Sequence, residues 1–129
     1  MDVYEAIRRR VAVKEFKPDP IPDATLRKIL LAARWAPSQR NRQPWHFVVV
    51  RDPETRAKLA SLTSSGPFIA EAPVAIAVAI DGARMPQFEA GRAMENMVLT
   101  AWAEDYNNVR HGFQDSPYLR AIFATGLRY

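Results

Sequence analysis

Residues 37–45 read Pro-Ser-Gln-Arg-Asn-Arg-Gln-Pro-Trp, and this stretch decides the interpretation of the chain. It lies between a segment with helical apolar spacing and an aromatic-led apolar run, so it is predicted to be a loop that joins a helix to a strand. Four of its side chains can donate or accept hydrogen bonds: Ser38, Gln39, Asn41 and Gln43. Such residues are common in loops and can simply satisfy a helix end, but their density here also favours a polar ligand site.

The elements around this loop predict an α/β or α+β sandwich in one domain. Apolar spacing predicts a helix that ends near Ala36-Pro37 and a longer one from Gln87 to about Glu104. Trp45 to Arg51 is predicted to be a buried strand, and Val74 to Ile80 a central strand covered on both faces. Near the C-terminus, Ser116-Pro117 is expected to start a short helix through Leu119, Ile122 and Phe123, which Gly126 would end.

Capping patterns predict two further helices. Asp2 can cap a helix that runs to about Arg10, and Asp52-Pro53-Glu54 is typical of a helix start because it combines an N-cap acid with proline at the first position.

Composition limits the possible functions. The chain has 129 residues, no cysteine and two histidines outside ligand-spaced motifs, so neither disulfides nor a metal site is expected. The net charge is +4, but the cations are spread along the chain and no nucleic-acid-binding motif is present. The longest apolar run is too short to span a bilayer, and the acidic N-terminus does not resemble an export signal. A cytoplasmic location is therefore expected.

A second cluster, Arg8-Arg9-Arg10 followed by Lys14 and Phe16, lies upstream of the loop. One interpretation is a solvated basic patch that complements the negative end of the helix dipole. The other is a phosphate clamp, because the arginine fork matches pairs of phosphate oxygens and lysine adds a point charge.

The two stretches, in this order, resemble the N-terminal half of the FMN-dependent nitroreductase family. The family pattern is roughly Arg-Arg-Ser-x-Arg-x-Phe followed by Pro-Ser-x-x-Asn-x-Gln-Pro-Trp. Residues 37–45 match the second motif at every defining position, and Arg10, Lys14 and Phe16 fit the first, with Ala12 in place of its serine. The resemblance implies an α+β, nitroreductase-like three-layer sandwich with a central mixed sheet flanked by helices. It also implies one FMN-binding domain over residues 1–129, truncated at the C-terminus, without the family's C-terminal strand and arm.

The resemblance implies the site as well. Arg10 and Lys14 would hold the FMN phosphate. Arg9, which lies close to the register of the family motif, is a further candidate for this contact. The ring contacts that the resemblance implies are Pro37, Ser38, Gln39 and Asn41, which would reach the flavin from the partner subunit of a homodimer. Hydride would pass from NADH or NADPH through flavin N5 to a nitroaromatic or quinone, with no essential side-chain base.

The long helix is expected to form core or dimer interface through Met94, Met97 and Trp102, and Gly91 to allow close approach of another helix. Glu89 and Glu95 are expected to be surface or interface charges. Two rival functions remain open at this point: a non-catalytic flavin- or nucleotide-binding protein of the same fold, and a basic structural or interaction module.

Overall fold

The computed structural model describes residues 2–10, 19–63, 67–108 and 122–123. Its helices are α1 (Val3–Arg9), α2 (Asp23–Arg34), α3 (Pro53–Ser61) and α4 (Pro86–Asn108). Its strands are β1 (Trp45–Val50), β2 (Ala75–Ile80) and β3 (Ile122–Phe123), and short 3₁₀ turns cover Gln39–Asn41 and Pro67–Ala70. No helix in these described parts combines the length and the apolar character needed to cross a bilayer.

Two helices begin at the acidic caps that the sequence predicts. Asp2 Oδ1 accepts a hydrogen bond from Glu5 N at 2.8 Å. Asp52 Oδ2 accepts one from Thr55 N at 2.8 Å and another from the Thr55 hydroxyl at 2.6 Å. Each bond satisfies a backbone N–H that has no partner inside the first helical turn, so both helix starts are fixed locally.

The sheet is mixed, with β2 between its two neighbours in the order β1-β2-β3. β1 pairs antiparallel with β2, so that Trp45 lies opposite Ile80 and Val49 opposite Ile76, whereas β2 pairs parallel with β3. This arrangement confirms the predicted central position of the 74–80 segment. The predicted short helix is wrong at Ile122 and Phe123: both residues form β3, because pairing with the edge of β2 overrides weak local spacing. The rest of that predicted helix lies outside the described residues.

Helices cover the two faces of the sheet because successive side chains of a strand point to opposite sides. On one face, Trp45, Ile76 and Val78 are buried in the main core together with apolar side chains of α2 and α4. On the other face, Ala75 and Val50 pack with α3 and the 67–70 turn in a smaller cluster. The predicted layered α+β arrangement is therefore present.

Small side chains line the contact between α2 and α4. Ala33 on α2 and Ala93, Met97 and Ala101 on α4 are fully buried. Gly91 does not belong to this contact. It is exposed, and a Cβ atom built on it meets no described atom within 4 Å, so the expected close approach of another helix is not found within the described chain.

Candidate functional site

Cations gather at the C-terminal end of α1, where they complement the negative end of the helix dipole. Arg9 Nη2 lies 3.4 Å from Glu5 Oε1, one turn earlier on the same helix. Arg10 Nε donates to Glu95 Oε1 of α4 at 3.0 Å, and both side chains of this pair are close to half exposed. Two of the three predicted phosphate ligands therefore lie at one helix end. The third, Lys14, falls outside the described residues.

The loop from Pro37 to Gln43 has an unusual backbone. Arg40, Asn41 and Gln43 have φ values of 55°, 53° and 51°, in the left-handed region that favours glycine. Asparagine tolerates this region, but each such residue costs roughly 1–3 kcal/mol and persists only where surrounding contacts impose it. The loop must therefore be held by bonds strong enough to offset this strain.

Some of those bonds lie within the loop. Ser38 Oγ accepts a hydrogen bond from Gln43 N at 2.9 Å, and Asn41 Oδ1 accepts one from Gln43 Nε2 at 3.2 Å. Two predicted ring contacts, Ser38 and Asn41, thus also shape the loop. Accepting these bonds leaves the Ser38 hydroxyl hydrogen and the Asn41 Nδ2 hydrogens as donors for a ligand.

Helix α4 supplies the other bonds. Glu89 Oε1 accepts a hydrogen bond from Gln39 N at 3.0 Å, and Arg92 Nη1 donates to the Pro37 carbonyl at 3.2 Å. The Arg92 guanidinium also lies 4.1 Å from the centroid of the Phe88 ring. All four predicted loop residues are therefore anchored, either to α4 or through bonds inside the loop.

Glu89 is the residue that the sequence interpretation missed. The expectation of a surface or interface charge is wrong, because Glu89 is only 4% exposed. A signal was present in its position: Glu89 precedes Ala93, Met97 and Ala101 at intervals of four, so it belongs to the buried stripe of α4. Glu95 does lie at the surface, as expected, and pairs with Arg10.

The two predicted halves of the site meet the same helix. The basic end of α1 contacts α4 at Glu95, and the loop contacts α4 at Glu89 and Arg92. Glu95 lies six positions after Glu89, which corresponds to about 9 Å along the axis of an α-helix and to a rotation that leaves the two side chains about 120° apart around it. One chain thus presents the cations and the amide-rich loop on different sides of α4.

Trp45, which begins the predicted buried strand, has a structural role. It is buried in the main core and stacks on Phe47 with ring centroids 6.4 Å apart. Arg40 and Arg42, both within the 37–43 loop, are exposed.

Comparison with known proteins confirms the resemblance. Residues 7–67 match the model of the nitroreductase family. A protein of Methanothermobacter thermautotrophicus, provisionally named NADH dehydrogenase/NAD(P)H nitroreductase, is 36% identical over 106 residues. That alignment includes 78% of this chain but 56% of the relative, so the chain spans little more than half of that protein's length.

Solved structures confirm the nitroreductase fold. A Parabacteroides distasonis protein, provisionally named NADH dehydrogenase/NAD(P)H nitroreductase, superposes with a TM-score of 0.76 at 26% identity, over 80% of this chain and 63% of its own. A Desulfovibrio desulfuricans protein, provisionally named a nitroreductase and solved in complex with FMN, superposes with a TM-score of 0.73 at 35% identity, over 80% and 63% of the two chains. All seven predicted cofactor-binding residues lie inside the 7–67 match.

Proposed function

We propose that this chain, whose residues 7–67 belong to the nitroreductase family, binds FMN and uses NADH or NADPH to reduce an electron-poor acceptor such as a nitroaromatic or a quinone. The observation that carries this proposal is the strained 37–43 loop, which α4 holds in place with donor groups available for a ligand, and the cations at the end of α1 supply a separate surface for a phosphate. The names of the relatives, which include nitroreductase, NADH dehydrogenase and a complex with FMN, point to the same chemistry.

The cations of α1 suit the phosphate of FMN. Arg10 already holds a carboxylate, and a phosphate dianion offers the same guanidinium a stronger, bidentate partner. Because the Arg10–Glu95 pair is exposed, it is weak and can exchange for a ligand at little cost. Arg9 lies beside it, and Lys14 would add a further positive charge.

The loop suits the polar edge of a flavin ring, which is rich in acceptor atoms. Ser38 and Asn41 keep donor hydrogens, and the Gln39 side chain is exposed. When bound, FMN supplies the hydride-transfer chemistry itself, so this chain needs to bind and orient it. We therefore expect no single side-chain acid or base to be essential for turnover.

We further propose a homodimer in which the loop of one subunit reaches the cofactor held by the α1 cations of the other. Large apolar side chains remain exposed on α2 and α4 near the loop, which supports an additional partner surface. They are Leu31, Trp35, Met85 and Phe88. A cytoplasmic location stays a prediction.

Reconstitution with FMN tests this function. The purified chain mixed with FMN should retain flavin absorbance after gel filtration, and NADH or NADPH should bleach it, with reoxidation on addition of a quinone or nitroaromatic. Colourless protein without FMN affinity would contradict the proposal. Bound flavin that no nicotinamide reduces would instead favour a non-catalytic flavin-binding protein, and a salt-sensitive shift with nucleic acid in the absence of FMN affinity would favour a basic interaction module.

A double variant tests the phosphate assignment. Arg10→Ala with Lys14→Ala should weaken FMN binding by at least roughly tenfold, because charge-assisted phosphate contacts are among the stronger hydrogen bonds. Arg51→Ala is the matched control, since Arg51 also forms an exposed ion pair, with Asp23 at 2.6 Å, at the opposite end of α2 from the loop. Equal FMN affinity in the double variant and the control would remove the clamp assignment.

A further inference from the structure

Glu89 is a buried carboxylate whose two oxygens have different surroundings. Oε1 accepts the hydrogen bond from Gln39 N, whereas Oε2 is buried and no described residue donates a hydrogen bond to it. The Arg92 Nη1 atom lies 3.9 Å from Oε2, close enough for charge compensation. Burying a carboxylate is costly unless it is paired and hydrogen-bonded, so a core position for glutamate calls for a specific role.

That role is indicated by the strain in the loop. Arg40, Asn41 and Gln43 all occupy the left-handed region, and nothing in the side chains of Arg40 or Gln43 favours it. Gln39 immediately precedes these residues and opens the 3₁₀ turn. A bond to Gln39 N therefore fixes the start of the strained segment, while the Ser38 and Asn41 bonds to Gln43 fix its end.

The helix that carries Glu89 is itself rigidly placed. Ala93 and Met97, one and two turns further along α4, are fully buried in the main core with Ala33 of α2. The carboxylate is thus presented from a fixed element, and Arg92 adds a second attachment through the Pro37 carbonyl.

We propose that Glu89 is a positioning residue that holds residues 37–43 in their strained conformation before a ligand arrives. Its consequence for the flavin rests on the proposed function above. A loop that is already ordered loses less conformational freedom on binding, so the same ring contacts give a higher affinity. Glu89 would raise FMN affinity through Gln39, without contacting the cofactor.

Two substitutions of Glu89 distinguish the effect of its hydrogen-bond acceptor from the effect of its negative charge. Glu89→Asp keeps the negative charge but withdraws the oxygens by about one C–C bond, about 1.5 Å. Glu89→Gln removes the charge but keeps a carbonyl oxygen that can accept from Gln39 N. Glu54→Asp is the matched control, because Glu54 forms an exposed pair with Lys58 on α3, away from the loop.

The first measurement is amide hydrogen exchange of the full chain without FMN. Exchange is detected by mass spectrometry of peptides that cover residues 37–43. Glu89→Asp should speed exchange at Gln39 by roughly tenfold or more, since a bond to a charged acceptor is lost, whereas Glu89→Gln and Glu54→Asp should stay within about threefold of wild type. If residues 37–43 of Glu89→Asp exchanged at the wild-type rate, the proposal would be overturned. Equal loosening in Glu89→Gln would also overturn it, because the retained acceptor would then have no effect.

FMN affinity and the visible spectrum of bound flavin are the second measurement. Glu89→Asp should bind FMN roughly tenfold more weakly, with an altered flavin spectrum, and Glu89→Gln should restore both. A looser loop with unchanged FMN affinity would overturn the link to the cofactor. If wild type bound no FMN while the loop loosened as expected, the proposed function would fail and the positioning of the loop would stand.

Global loss of structure is recognised in the same exchange data, because peptides from β1 and β2 would then lose protection too. If Glu89→Asp behaved in that way, Glu89→Gln would decide the matter. A folded Gln variant with a protected loop supports the positioning role, and a Gln variant that also unfolds overturns it.

Discussion

At the level of single residues, the acidic helix caps show how directly a local pattern fixes structure. The pKa of Asp52 lies below its ordinary value of 3.8 because the Thr55 hydroxyl and then the Thr55 backbone N–H donate hydrogen bonds to its carboxylate. Both groups are within three residues of the acid, so the two largest causes of the lowered pKa are local in the sequence. The pattern Asp-Pro-Glu predicts a helix start at Asp52, and the structure confirms it.

The lowered pKa makes the cap pH-dependent. A carboxylate whose folded-state pKa is depressed contributes stability above its unfolded-state pKa, and this contribution is lost as pH falls through the folded-state pKa. In Asp52→Asn the amide oxygen still caps the helix but does not titrate. We therefore expect the difference in melting temperature, wild type minus Asp52→Asn, to decrease as the pH is lowered from 5 to about 2.5.

The control for this prediction is Asp81→Asn, which removes an exposed acid just after β2. Its pH profile reports the acid sensitivity common to the whole chain. A constant difference between wild type and Asp52→Asn over the same range would show that the Thr55 bonds do not depend on ionisation.

At the level of elements, the sequence predicts what neighbours in the chain determine and fails where distant contacts decide. The apolar spacing of α2 and α4 and the unbroken apolar run of β2 predict those elements to within a few residues. β3 could not be predicted, because Ile122 and Phe123 take strand conformation only through pairing with β2, more than 40 residues earlier.

The same distinction applies to the candidate site. The motif singles out the candidate binding residues of the loop and predicts that the loop follows α2. It cannot predict that Arg40 and Gln43 adopt positive φ, since the loop is also bonded to Glu89 and Arg92, about 50 residues away. The burial of Glu89 follows from the stripe that it shares with Ala93 and Met97, a pattern that is visible once α4 is in place.

The packing of α4 against α2 makes a prediction of its own. Met97 is fully buried in the main core, so Met97→Ala should leave a cavity and lower the free energy of unfolding by about 2–5 kcal/mol. Leu62→Ala is the control because Leu62 is 82% exposed and lies away from the proposed interface, so it should change the free energy by less than about 0.5 kcal/mol. Urea unfolding followed by circular dichroism measures both, and equal effects would contradict the assigned core.

At the level of the whole molecule, large apolar side chains are exposed at several places in the described chain, and one group of them lies where α2 ends and α4 begins. Leu31 and Trp35 lie one turn apart at the end of α2, and Trp35 is 84% exposed. Arg92 connects this region to α4, because it contacts both the Pro37 carbonyl and the Phe88 ring. An exposed tryptophan beside other apolar side chains is typical of an interface, which supports the proposed homodimer.

The proposed dimer predicts that charge on this surface prevents association. Trp35→Glu should shift the chain toward monomer in sedimentation velocity, and with it weaken FMN binding if the loop of one subunit completes the site of the other. Leu62→Glu is the matched control, because Leu62 is 82% exposed but follows α3 on the other side of the sheet. A Trp35→Glu chain with the wild-type sedimentation coefficient would contradict the proposed interface.

The shared attachment to α4 has a consequence for how this part of the molecule tolerates insertions. The spacing between the α1 contact and the loop contact is set by the pitch of one continuous helix, and each added residue turns that helix by about 100°. A single residue inserted between Arg92 and Glu95 would carry Glu95 to a different side of α4 and separate it from Arg10. Length variation in this family of folds should therefore be found in the surface connections and not between these two positions.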